Sequence, residues 1–221
     1  MSVEHQKLWD DFCVRWGVVD SSVPLFHCDE NLVVKIKTVG KSARQVLCRS
    51  ALMEALVIEQ VTYLLEDVQQ EHTTYDGLIY MMHYVEDGLV KPLYIGKTET
   101  RGRKNPISVN VKGISKNKNK FARWGDNKQY HIGDLSEVVL NGGQNNKYEN
   151  WANALFECYP TPNPTLNRQT YFWCMAWSSS YTGIWEEFGP THLTFLEYLM
   201  IGVASSAFGG LLLNSEGQNR A

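Results

Sequence analysis

Nine basic side chains, Lys97, Arg101, Arg103, Lys104, Lys112, Lys116, Lys118, Lys120 and Arg123, fall within residues 97–123 against the single acid Glu99. The segment carries +8 in a chain whose formal net charge is −3, so the remaining residues carry −11. Asn105, Asn110, Asn117 and Asn119 are interleaved with the cations. Cations alternating with neutral amides suit the oxygens of a phosphate backbone, and the acidic remainder repels a polyanion from other faces. A solvated loop has a similar composition; the interleaved asparagines favour the phosphate reading.

A second chemical signal is Glu197, set in the apolar stretch LTFLEYLMIGVASSAFGGLLL at 193–213. A carboxylate there is desolvated, and its pKa rises unless a cation or a hydrogen-bond donor compensates. The stretch has about the length a bilayer requires. Glu197 would cost about 2.5–3.5 kcal/mol within a span, and Gly209 and Gly210 interrupt the run. A buried core helix is therefore expected. Gly40-Lys41-Ser42 has the end of a phosphate-binding P-loop, but position 35 is Lys where that loop needs Gly, which excludes it.

The elements that must hold these groups follow from periodicity and punctuation. Residues 1–70 read as mainly helical, with LWDDFCVRW at helical spacing, a short strand at 31–39, and a long amphipathic helix over 43–70. GLIYMMHYV at 77–85, the turn residues Glu86-Asp87-Gly88, and LVKPLYIGK form a β-hairpin. Pro106, Val109 and Val111 keep 105–112 out of helix, whereas SKNKNKFARWGD predicts a short helix closed by Gly125. A helix is expected over 147–159, a buried strand over 170–177, and a helix capped by Thr191 running to about Ser206. Strands and helices mix without a βαβ rhythm, which indicates an α+β fold, a small mixed or antiparallel sheet flanked by helices.

Leu78-Ile79-Tyr80 and Tyr94-Ile95-Gly96, 13 residues apart and followed by Lys97-Thr98, resemble the paired signature of the GIY-YIG nuclease superfamily. Leu78 replaces the first Gly, with Gly77 just before it. Arg123, Glu197 and Asn214 follow in the order in which that family places its Arg, Glu and Asn, so the resemblance spans roughly residues 77–215. It implies a core at 73–221 with a basic insert at 99–122, preceded by a mainly helical extension at 1–72 that resembles nothing known. It also implies metal-dependent hydrolysis of phosphodiesters, with one Mg²⁺ or Mn²⁺ ion held by Glu197. Arg123 would clamp the scissile phosphate; Arg101 and Arg103 compete for that role from a Gly- and Pro-containing stretch. Tyr80 would be the base, which a phenol of reference pKa about 10 becomes only beside a cation. Tyr94 would be an orienting donor and Lys97 an assistant. His131 stands eight residues after the Arg where a helper often stands four after it, and Asn214 would position backbone near Glu197 or touch the phosphate.

The resulting expectation is a DNA endonuclease of restriction or phage-defence type. Arg101, Arg103, Lys104, Lys112, Lys116, Lys118 and Lys120 would contact DNA, and a homodimer would let both strands be cut. A non-catalytic nucleic-acid-binding module that retains the fold, or a domain binding an acidic protein, shares the basic segment. Five dispersed cysteines without a CxxC pair, and an N-terminus lacking a secretory h-region, point to a reducing, cytoplasmic setting with no membrane partner.

Overall fold

The computed structural model describes residues 3–102 and 106–218. In chain order its elements are α1 (Val3–Arg15), α2 (Val18–Ser21), β1 (Val23–Pro24), β2 (Ile36–Val39), β3 (Arg44–Leu47), α3 (Ala51–Gln69), β4 (Tyr75–Glu86), β5 (Leu89–Glu99), α4 (His131–Asn141), α5 (Asn146–Leu155), β6 (Tyr171–Ser178) and α6 (Leu193–Phe208). The α+β class expected from the sequence is observed. Two compact units divide the chain: the first contains Met1–Val23, Leu56–Ser108 and Tyr171–Ala221, the second Pro24–Ala55 and Val109–Thr170. Expected residues Arg103 and Lys104 lie outside the described residues.

The first unit is organised by an antiparallel sheet in the order β1-β6-β4-β5. Asp87 and Gly88, both at positive φ (53° and 75°), close the β4–β5 hairpin in two residues, a turn whose twist matches that of the paired strands. Side chains alternate between two faces. Ile79, Met81 and Ile95 point to one face, where they pack with Trp173 and Trp177 against Trp9 and Phe12 of α1 and Leu196, Met200 and Val203 of α6. Leu78, Tyr80 and Met82 line the other, with Phe172 and Cys174 beside them on β6. The expected core helix is thus α6, and no helix among the described residues is long and apolar enough to cross a membrane. Thr191 does not cap it. Its hydroxyl donates to Gly189 O at 2.8 Å, and the helix begins at Leu193, whose N–H is taken by Asp76 Oδ2 at 3.0 Å.

The second unit replaces part of the expected helix 43–70 with a hairpin. β2 pairs antiparallel with β3, and Gly40 and Ala43 take up positive φ in the turn between them. Helix α3 starts only after Ser50, whose hydroxyl accepts the Met53 N–H at 2.9 Å. The strand expected over 31–39 is shorter, with Val33 and Val34 making isolated bridges to Thr165 and Cys28. Arg49, just before the cap, is buried and donates to Asp126 Oδ1 at 2.6 Å, Trp124 O at 2.7 Å and Glu54 Oε1 at 2.8 Å. This buried, hydrogen-bonded ion network anchors the basic segment.

Candidate functional site

In the first unit Tyr94 and Lys97 lie on the edge strand β5, Tyr80 on β4 beside it, Glu197 on α6 and Asn214 in the segment that follows α6. Strand β5 is the last of the sheet, so half of its backbone groups point away from β4. Ile95 is one such residue: its N–H donates to Asn214 Oδ1 at 3.0 Å and its C=O accepts from Asn214 Nδ2 at 2.8 Å. Leu93 O accepts from Leu213 N at 2.7 Å. Asn214 is buried, so its amide completes the sheet edge and acts as a positioning group for the strand.

Two residues farther on, the Lys97 backbone bonds the carboxylate of Glu197. Burial raises the Glu197 pKa above the ordinary carboxylate value; Lys97 opposes the rise, and the nearby charges of Glu99 and Glu216 add to it. The Lys97 ammonium is paired with Glu99 Oε1 at 2.6 Å, and among the described residues Glu197 has no ion pair of its own.

Tyr80 approaches the same edge from the other face. Its partner across the hairpin is Gly96, and its ring leans over that glycine, where a Cβ would lie 2.6 Å from the ring and 2.9 Å from the hydroxyl oxygen. Only a residue without a side chain leaves this space. The ring is 2% exposed and stacks against Phe172 with centroids 6.1 Å apart. Tyr94 lies opposite Met82, on the same face as Tyr80 and displaced diagonally from it. The two phenols therefore share a face, as expected, whereas Glu197 reaches the edge from the α6 face. Tyr80 over Gly96 and Glu197 at the Lys97 backbone thus meet the same strand from opposite faces of the sheet.

Among the described residues no group of three or more His, Cys, Asp or Glu side chains is arranged to hold a metal ion. The donor set at this edge is a single half-buried carboxylate near Glu99 and Glu216, whose hard oxygens suit a divalent cation such as Mg²⁺ that keeps most of its waters. Glu197 fits the expected ion on these grounds.

Arg123 and His131 belong to the second unit, and their surroundings differ from expectation. Arg123 is not on a regular helix. It ends a single 3₁₀ turn, Phe121–Arg123, in which all three residues have positive φ (29°, 49° and 75°). Such backbone costs of order 1–3 kcal/mol per residue and persists where its surroundings over-determine it. Here Phe121 is buried beneath Arg49, 4.6 Å from its ring, and Lys118, at 4.8 Å, while Ala122 N donates to Asn110 O at 2.9 Å. His131 opens α4 and is 2% exposed, stacked on Trp151 at 5.1 Å, edge-on to Trp124 at 4.9 Å, with Nδ1 3.0 Å from the Tyr148 hydroxyl. Burial, with the charges of Lys147 and Arg123, holds it well below the ordinary histidine range. A neutral, enclosed imidazole of this kind is a positioning group for the aromatic cluster.

The expected DNA contacts separate by environment. Lys112 and Lys116 are exposed and Lys120 half-buried. Lys118 is drawn into the ion network, 2.9 Å from Glu54 Oε2, and is structural. Arg101 is held by a bridge to Ile107 and lines a cleft of about 360 Å³ with Asp76, Glu99 and His192 in the first unit. Sequence reasoning missed Arg49, whose partner Asp126 is 77 residues away and leaves no local signal. It also missed Lys147, whose one signal is the Tyr148 and Trp151 that follow it within a helical turn. No known protein family, no curated protein and no solved structure matches this chain.

Proposed function

We propose that the chain is a metal-dependent endonuclease that hydrolyses phosphodiester bonds in DNA, of restriction or phage-defence type. The observation that carries the reading is the half-buried Glu197 carboxylate at the Lys97 backbone on the sheet edge, with Asn214 fixing Ile95 beside it. It supports the resemblance at Lys97, Glu197 and Asn214, whereas Tyr80 and Tyr94 stand on the other face of the hairpin and Arg123 belongs to the second unit.

Hydrolysis requires a deprotonated water, neutralisation of charge at phosphorus and a stabilised leaving oxygen. Tyr80, once ionised to its phenolate, would take the proton from the attacking water; its ring, wedged between Gly96 and Phe172, fixes where the phenol oxygen stands. Tyr94, half-buried on the same face, orients that water, and the Lys97 ammonium adds positive potential. Glu197 holds the cation, which when bound supplies Lewis-acid neutralisation of a phosphate oxygen. Arg123 suits a phosphate ligand, as a guanidinium with no competing ion pair among the described residues.

The test is nicking of supercoiled plasmid by the wild type, Tyr80→Phe and Glu197→Gln, each in Mg²⁺ and in EDTA. Wild-type nicking is expected in Mg²⁺ alone, with each variant slower by at least about 10². Nicking that continues in EDTA, or at the wild-type rate in Glu197→Gln, overturns the reading.

A further inference from the structure

We infer that His192, oriented by Asp76, is the general acid of the hydrolysis, the group that protonates the oxygen leaving phosphorus. The inference rests on the nuclease reading above, in which the attacking water and the phosphate charge are served by Tyr80 and Glu197 and the departing oxygen still needs a proton. His192 stands immediately before α6, the helix that carries Glu197, and lines the cleft of about 360 Å³ with Glu99 and Arg101 at the end of β5. Its Nδ1 lies 3.1 Å from Asp76 Oδ2. A carboxylate oxygen only accepts, so Nδ1 carries the hydrogen, and Nε2 is the nitrogen left for a substrate. Among the described residues Nε2 has no hydrogen-bond partner, and the side chain is 79% exposed. Lys97 and Glu99 project from β5 on the face that Ile95 turns to α6, so the cleft and Glu197 lie on one face of the sheet. The rise from Leu193 to Glu197 is about 6 Å, a separation that one metal-bound phosphate group spans.

The position of the imidazole is built into the fold. Gly77 lies opposite Glu99 in the β4–β5 ladder, and a Cβ there would come within 2.9 Å of the Leu193 side chain. Without that Cβ the first residue of α6 rests on β4, and Asp76 reaches both the Leu193 N–H, at 3.0 Å, and His192. One carboxylate thus starts the helix and fixes the tautomer of the ring. It stays ionised throughout and balances the charge of the imidazolium whose Nε2 gives up a proton. The other acids of the cleft are already engaged: Asp67 accepts the Thr74 N–H at 2.9 Å, and Glu99 is paired with Lys97 at 2.6 Å. Arg101, in contrast, has no ion pair among the described residues, and its guanidinium suits the non-bridging oxygens of a phosphate. As the bond from the water oxygen to phosphorus forms, the bond to the bridging oxygen breaks. That oxygen keeps the electron pair and takes the Nε2 proton, and the neutral imidazole is reprotonated from solvent.

The experiment uses the full chain in Mg²⁺ and a DNA duplex cut at one position mapped beforehand, prepared with either oxygen or sulfur as the bridging atom that leaves. A thiolate is a far weaker base than an alkoxide and departs without a proton, so loss of a general acid is felt on the oxygen duplex alone. His192→Gln should cut the oxygen duplex at least about 10² more slowly than the wild type and the sulfur duplex at the wild-type rate, with duplex binding and melting temperature unchanged. Asp76→Asn, which disturbs the orientation of the ring, should show a smaller loss on the oxygen duplex, again absent with sulfur. Equal slowing of both duplexes by His192→Gln, or no slowing of the oxygen duplex, removes the role of His192 and leaves the nuclease reading standing. A wild type that cuts neither duplex removes the nuclease reading and the role of His192 with it.

Discussion

Asp126 in the second unit and Glu197 in the first are both carboxylates withdrawn from water, and the protein treats them in opposite ways. Asp126 is 3% exposed and saturated, with Arg49 at 2.6 Å, Lys37 at 3.1 Å and its own carbonyl taken by Arg44. Glu197 has the Lys97 backbone and, among the described residues, no ion pair, and its neighbours Glu99 and Glu216 add negative charge that Lys97 opposes. The cations repeat the contrast: Arg49 is fully engaged, whereas Arg123 rests on an aromatic ring and has no salt bridge among the described residues. Charge that is satisfied within the chain serves the fold. Charge left open at a rigid position is what a ligand can complete.

The comparison is broken most severely at the saturated pair. Asp126→Ala leaves the buried Arg49 with Glu54 as the one carboxylate of its pair, and unfolding in urea should show a loss of about 3–5 kcal/mol. Glu197→Ala loses only the bond to the Lys97 backbone and should cost about 0.5–1.5 kcal/mol, while removing plasmid nicking. Equal stability losses in the two variants would erase the distinction. Next in size is Gly96→Ala. The new Cβ would stand 2.6 Å from the Tyr80 ring, which must move away from the strand edge. Overpacking of this kind costs about 1–3 kcal/mol, and the displaced hydroxyl should slow nicking by about 10²; retention of the wild-type rate would show that the position of Tyr80 over Gly96 does not matter.

Legibility in the sequence followed the same division between local and distant partners. The β4–β5 hairpin, β6, α1 and α6 were readable because each is a run of alternating or helical apolar residues bounded by its own turn signals. The β2–β3 hairpin was not, since Ala43–Leu47 consists largely of good helix formers continuous with α3, and only pairing with Ile36–Val39 makes it a strand. At the site, the order Tyr80, Tyr94, Glu197, Asn214 could be read, but not that the Asn214 amide would close on Ile95, 119 residues away. The helix expected at Arg123 rested on Gly125 as a stop. That glycine is needed instead because an added Cβ would lie 1.9 Å from Asn119 O, a tertiary constraint with no periodic signature.

Acid separates the two modes more gently. His83 in the first unit is buried beside Ser22, its Nε2 3.1 Å from the hydroxyl, and burial lowers its pKa to about 4. As pH falls from 6.5 toward 4, the unfolded chain binds a proton that the folded chain refuses, so stability drops across that window. The slope reaches about 1.4 kcal/mol per pH unit. His83→Gln should flatten the urea midpoint between pH 6.5 and 4; an unchanged slope would assign the acid sensitivity elsewhere.

The smallest effect concerns the open carboxylate itself. The folded pKa of Glu197 is raised, so its favourable contribution is full below the ordinary carboxylate value of 4.5 and is lost as pH rises through the folded value. At pH 7 without divalent cation the ionised group therefore opposes folding. Glu197→Gln should then melt slightly above the wild type, and the gap should close by about pH 4, where the unfolded carboxyl is also largely protonated. Mg²⁺ should raise the wild-type melting temperature and leave that of Glu197→Gln unmoved, because only a ligand bound to the folded state shifts the equilibrium. Identical melting of the two proteins at pH 7, with and without Mg²⁺, would mean that the Glu197 carboxylate is already satisfied and that the contrast with Asp126 fails at its weaker end.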